Sequence, residues 1–231
     1  MKIFENEDLE SFQDRDSGAV FADIEFRNCY FRSCIVSVTK DPALRSYVKN
    51  VTLRQCSQRG CAIYSGIFEN VVVDGLKTNT QLVQVWGAVF KHVVLRGNID
   101  RLMISPNVDV KGERPAVQVA FDQANSEYYR HVDWALDISE GAFKDLWIQG
   151  VPAHLIRRNP ESQVVVTREK AMAGEWRELS LHEQIWSLAL RRFLEGKDDA
   201  VVLVAPKRHR KFRRYVEDLR TLQQAGVAEP D

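Results

Sequence analysis

Long apolar runs are missing from this chain. The stretch AVVLVA at 200–205 falls far short of the roughly 18 residues that a membrane span requires. A leader is missing too: the opening MKIFENEDLESFQDRD is acidic and mixed, with no basic segment running into an apolar one, so a soluble cytoplasmic protein without a membrane partner is expected. Excess charge of either sign is lacking, since Lys+Arg and Asp+Glu both total 32, and this gives no general attraction to nucleic acid or acidic membrane. The motifs that bring chemistry are absent as well. There is no HExxH, no GxSxG and no glycine-rich phosphate loop, and His92, His131, His154, His182 and His209 are scattered. No catalytic residue, metal site or cofactor is expected.

What is present is apolar material and repetition. Of the 231 residues 45% are hydrophobic, enough for a sizeable core and too much for a disordered chain. One eight-residue phrase recurs, as FRNCYFRS from Phe26, VKNVTLRQ from Val48, FENVVVDG from Phe68, FKHVVLRG from Phe90 and FKDLWIQG from Phe143. Each alternates apolar and polar positions, the period of a strand with one buried face, and each ends on Gly, Ser or Gln, of which Gly and Ser supply a corner. A strand so short cannot bury its inner face alone; stacking copies every 20–22 residues gives each a neighbour above and below. The expected fold is therefore mainly β, a right-handed parallel β-helix over about 18–160. A second alignment sets GAVFADIEFRN (18–28) on GAVFKHVVLRG (87–97), and a third sets FRNCYFRSC (26–34) on LRQCSQRGC (53–61), 27 residues on. An excursion, TKDPALRS at 39–46, accounts for the longer offset, and another is expected near 105–135.

Over 19–38 the beat tightens: Phe21, Phe26, Phe31 and Val36 recur every five residues, as do Ala19, Ile24, Cys29 and Cys34. In this the chain resembles the pentapeptide-repeat family. The resemblance implies a square right-handed β-helix with these residues at inward corners, and a binding or mimicry role rather than an enzyme. The cysteines at 29, 34, 56 and 61 follow the same beat instead of the CxxC spacing of zinc sites, so small core residues are favoured over metal ligands.

The charge is unevenly placed. Residues 1–25 carry eight acids against Lys2 and Arg15, and 1–17 is expected to cap one end of the column. From about 163 the period becomes helical, and an α-rich cap over 163–231 is expected at the other end. Ser180 and Glu183 have capping-box spacing ahead of a helix over 181–195. Pro206 is expected to open a basic helix over 206–225 whose run KRHRKFRR offers Lys207, Arg208, Arg210, Lys211, Arg213 and Arg214.

These features suggest a non-enzymatic protein-binding solenoid, an immunity or antitoxin-type inhibitor whose partner is another protein, such as a toxin. The expected contact residues are Tyr128, Tyr129 and Arg130 in the excursion, Trp147, and the six basic residues above. Two alternatives remain. One is a nucleic-acid-associated protein acting through the basic helix. The other is a polysaccharide-active enzyme with Asp74 and Asp100 as paired carboxylates.

Overall fold

The computed structural model describes residues 1–108 and 112–229; within the 105–135 excursion, 109–111 lie outside the described residues. The alternating phrases form short strands: β1 (Lys2–Glu5), β2 (Asp8–Glu10), β3 (Gln13–Arg15), β4 (Val20–Arg27), β5 (Tyr30–Arg32) and β6 (Ile35–Val38). Next come β7 (Tyr47–Arg59), β8 (Ala62–Tyr64), β9 (Ile67–Lys77), β10 (Val83–Trp86), β11 (Val89–Lys91) and β12 (Val93–Ser105). After helix α1 (Pro115–Tyr129), strands β13 (Leu136–Asp137), β14 (Gly141–Ile148) and β15 (Ile156–Arg157) complete one 15-stranded sheet. Its central path runs β1-β4-β7-β9-β12-β10-β8-β6-β3, returning to the segment where it began, so the sheet is curled. Neighbouring strands within it pair parallel, as expected for a chain that comes round repeatedly in the same direction.

Identical side-chain types pile up in register. One column reads Phe4, Phe26, Leu53, Val73, Leu95. A second reads Phe21, Val48, Phe68, Phe90, and a third Val36, Ile63, Val85, Ile104, Ile148. The rings of Phe68 and Phe90 stack at 5.8 Å, those of Phe4 and Phe26 at 5.2 Å.

Two copies of the phrase sit elsewhere than expected. Phe26 is one column away from Val48, and Phe21 takes its place. The five-residue beat makes FADIEFRN and FRNCYFRS equally good matches, and the true offset is 27 because the 39–46 excursion, holding a 3-10 turn at Pro42–Leu44, adds five residues. Phe143 pairs with Ile99 and not with Phe90, so the last phrase continues the second half of β12.

The corners explain the polar slots of the phrase. Asp23, Asn50, Asn70 and His92 all have left-handed backbone, with φ between 51° and 56° at the neighbouring corner Asn28 and at these four. Asn and Asp tolerate that conformation better than most residues. Their side chains form a ladder, Asn50 Nδ2 donating to Asp23 (2.9 Å) and Asn70 Nδ2 to Asn50 (3.2 Å), with His92 Nδ1 3.2 Å from Asn70 Oδ1. At the top His92 Nε2 meets Asp133 at 2.6 Å. At the next corner Gly97 (φ +67°) takes the left-handed backbone without strain, and a Cβ there would press on Asp74 Oδ1 at 3.0 Å.

The acidic segment lies at one end of the columns, as strands of the sheet itself. Residues 2–15 supply β1, β2 and β3, which pair with β4, β5 and β6 and extend the columns by one level. Arg32 of β5, on the following level, pairs with Asp8 and Glu10 at 2.9 and 3.5 Å.

Beyond the sheet, β16 (Gln163–Thr167) is followed by α2 (Arg168–Ala173), α3 (Ile185–Glu195), β17 (Ala200–Val204) and α4 (Phe212–Gln224). The antiparallel pair β16–β17 divides two cores by simple alternation. Val165, Val202 and Val204 face the large sheet. Val164, Val166 and Leu203 face the helices, packing with Trp176, Trp186, Leu190, Phe193, Leu219 and Leu222.

Two helix starts differ from expectation. Helix α3 begins at Ile185, and no capping box forms at Ser180; the buried carboxylate of Asp218 on α4 accepts instead from the amides of His182 (2.7 Å) and Glu183 (2.9 Å). Helix α4 begins at Phe212, because residues 206–211 form turns in which His209 N donates to Pro206 O and Phe212 N to His209 O. Among the described residues no helix is long and apolar enough to cross a membrane.

Candidate interaction surface

The excursion past Ser105 contains a 15-residue helix, α1, entered at Pro115. Phe121, Asn125 and Tyr129 recur every four residues and form its buried face. Asn125 Oδ1 accepts from Arg45 Nη2 at 2.5 Å, and the Arg45 guanidinium lies 4.6 Å from the Phe121 ring. Burial holds the Arg45 pKa down at about 10.

This geometry corrects the expected contact residues. Tyr129 is buried, 8% exposed, in the sheet's core, and burial raises its phenol pKa. Tyr128 turns its hydroxyl to Glu69 at 3.2 Å, and burial first, then the Glu69 charge, raises its pKa. Both anchor α1 to the sheet: at the end of a short helix an aromatic pair gains more by covering core than by facing water. Arg130 alone of the three is exposed, paired with Glu127. Trp147 does point away from the sheet's core, as alternation requires, but the second core receives it and Arg192 lies 5.4 Å from its ring. It is half-buried against the C-terminal helices.

The basic run separates into two sets. Arg208 reaches back to the sheet, where its Nη1 lies 2.9 Å from Asp100 Oδ1. Lys211 Nζ lies 2.9 Å from Glu183 Oε2. Both carboxylates belong to buried residues, 5% and 8% exposed, so these pairs compensate charges that would otherwise be costly. Lys144 (2.7 Å) and the Thr78 amide (3.0 Å) also contact Asp100. Burial pushes the Asp100 pKa up, and Lys144, Thr78 and Arg208 together outweigh it, leaving the pKa lowered.

Further contacts fasten the same loop. Arg208 N donates to Phe143 O (3.1 Å), Lys211 N to His209 Nδ1 (3.2 Å), and the His209 ring meets Tyr215 edge-on at 5.2 Å. Lys207, Arg210, Arg213 and Arg214 have no ion-pair partner among the described residues, and the three arginines are exposed. Arg213 and Arg214 stand in the first turn of α4, which has no side-chain cap and no acidic residue. Each such charge costs a few tenths of a kcal/mol against the helix dipole.

The residues considered for other chemistry are engaged structurally. Asp74 accepts from Arg96 (3.0 Å) with Arg54 at 3.5 Å, and Asp100 is held as described. His92 belongs to the corner ladder. Cys29 and Cys34 donate to carbonyls of the level below, Phe4 O (3.4 Å) and Leu9 O (3.3 Å), and Cys61 Sγ accepts from Cys34 N at 3.4 Å. Burial pushes the Cys56 and Cys61 thiols up to about 11, which disfavours the thiolate that binds metal.

Sequence reasoning missed a cleft of about 1280 Å³ between α1 and the loop after α3, lined in part by Asp122, Asn125, Arg130 and Asp198. Arg168 fixes that loop through four carbonyls, those of Phe193, Leu194, Gly196 and Asp198. No local signal at Arg168 foretells this, because its targets lie 25 to 30 residues away. No family model matches the chain, and no curated protein or solved structure does either.

Proposed function

We propose that the curled sheet is a right-handed parallel β-helix of the pentapeptide-repeat kind, and that the chain is a non-enzymatic protein-binding scaffold of the immunity or antitoxin type. The observation that carries the reading is where the carboxylates go. Asp74 and Asp100, the pair considered for acid–base work on a sugar, are each occupied by two cationic side chains. A glycosidase needs one carboxyl kept protonated and a second facing substrate. Columns in register, with corners fixed by left-handed residues and side-chain ladders, give a rigid surface suited to recognition.

The test is co-expression with the product of the neighbouring reading frame. A stable complex on size exclusion, in which the partner's activity falls, is the expected result. Co-elution of neither component, or turnover of a polysaccharide by the chain alone, overturns the reading. Nucleic-acid association stays as a second reading on one observation, the four unpaired cations at 207–214. Binding to random duplex DNA that weakens steeply with salt would favour it.

A further inference from the structure

Resting on that protein-binding reading, we infer that the partner is an acidic protein surface and that Lys207, Arg210, Arg213 and Arg214 grip it. The loop from 206 to 211 is built to hold side chains in place. Arg208 and Lys211 alternate with the unpaired cations and tie the segment to the sheet at Asp100 and to the 179–184 turn at Glu183. Those two anchors, together with the Arg208 N to Phe143 O bond and the His209–Tyr215 contact, fix the backbone. The remaining cations are thus displayed from a rigid base, which lowers the ordering cost of binding. The uncapped start of α4, which follows directly in sequence, adds its partial positive charge.

Three of the four displayed residues are arginines, whose planar fork donates two parallel hydrogen bonds to a carboxylate. Nucleic acid fits less well. The aromatics in and beside the patch pack inward, Phe212 against the second core and Tyr215 against both Trp186 and His209, which leaves bases no stacking platform there among the described residues. The net charge is zero, whereas a nucleic-acid-binding domain carries an extended basic footprint.

The experiment uses the full chain, first with labelled poly-L-glutamate and with a random 20-base-pair duplex as probes, by fluorescence anisotropy at low and physiological salt. Expected are tighter binding of poly-L-glutamate than of the duplex, at least tenfold loss in the R210E/R213E/R214E variant, and a severalfold loss in R210K/R213K/R214K, which keeps the charge and removes the fork. Tighter binding of the duplex, or unchanged poly-L-glutamate affinity in the reversed variant, overturns the inference. The second arm is capture from host lysate with wild-type and reversed protein, their urea midpoints matched to exclude misfolding. A protein captured by wild-type, lost on charge reversal and displaced by poly-L-glutamate supports the inference. A protein captured equally by both leaves the binding reading standing and removes this surface. Capture of no protein by wild-type overturns the binding reading itself, and this inference with it.

Discussion

Removing the Asp218 carboxylate tests how the C-terminal unit is held together. Asp218 is 1% exposed, and its two oxygens take the amides of His182 and Glu183 at 2.7 and 2.9 Å. In Asp218→Ala both amides lose their acceptor in a dry site. A hydrogen bond to a charged group contributes about 1.5–3 kcal/mol, and capping bonds individually less. Part of the loss is offset, because Ala is a better helix former than Asp by about 0.5 kcal/mol within α4. The net expectation is about 2–4 kcal/mol. Urea unfolding followed by far-UV circular dichroism checks it: with a slope of about 2–3 kcal/mol/M the midpoint falls by roughly 1 M. Asp218→Asn, which keeps one acceptor oxygen and loses the charge, should fall about half as far. Ser180→Ala, at an exposed position without a capping bond, should stay within about 0.5 kcal/mol of wild type. If Ser180→Ala costs as much as Asp218→Ala, the local capping box is real and the cross-helix cap is not.

Three further expectations follow from the sheet. Arg27 and Arg54, hydrogen-bonded to Glu25 at 2.8 Å each, hold its pKa at about 2 against an ordinary 4.5. Its stabilisation is therefore complete above about pH 4.5 and lost as the pH falls toward 2. Melting temperatures measured from pH 6 to 2 should drop more steeply for wild type than for Glu25→Gln, and parallel curves would refute this. Asn70→Ala removes two rungs of the corner ladder and places a less tolerant residue at φ 53°, costing about 1–2 kcal/mol in urea unfolding, while Asn70→Gly restores the backbone part only. A cost below 0.3 kcal/mol for Asn70→Ala would mean that the ladder contributes nothing. Finally, the native protein at pH 8 should react slowly with an aromatic disulfide reagent and expose four thiols once unfolded in urea; fast native labelling of Cys56 would contradict its burial.

Local periodicity made the sheet legible, and the same periodicity concealed its register. The phrases at Val48, Phe68 and Phe90 stack as expected because each corner slot holds a residue that tolerates left-handed backbone. Phe26 is ambiguous for a physical reason: apolar and left-handed polar positions both recur every five residues here, so a shift by five keeps apolar on apolar and sets Asp23 on Asn28 and Asn28 on Ser33. The alignments that carried extra information, GAVF at 18–21 and 87–90 and the cysteine block at 27 residues, place Phe21 and Phe26 in their true columns. Helix α1 escaped notice because its buried face includes Asn125, whose polarity breaks an apolar stripe and is satisfied only by Arg45, 80 residues away in sequence.

The candidate surface was half legible for a related reason. A run of six cations is visible in any reading of KRHRKFRR, but which of them remain for a partner depends on carboxylates far along the chain. Asp100 lies 108 residues before Arg208, and Glu183 lies 28 before Lys211. Each of those acids is buried: Lys211 is the cation on Glu183, whose loss would cost several kcal/mol, and Arg208 shares Asp100 with Lys144, so the fold itself has a use for both Arg208 and Lys211. No comparable demand fixes Lys207, Arg210, Arg213 and Arg214, two of which oppose the dipole of their own helix. Stability alone accounts for the first pair and disfavours part of the second set. What the second set has in common is the lack of an ion pair among the described residues, and the charge-reversal variant tests whether a partner supplies one.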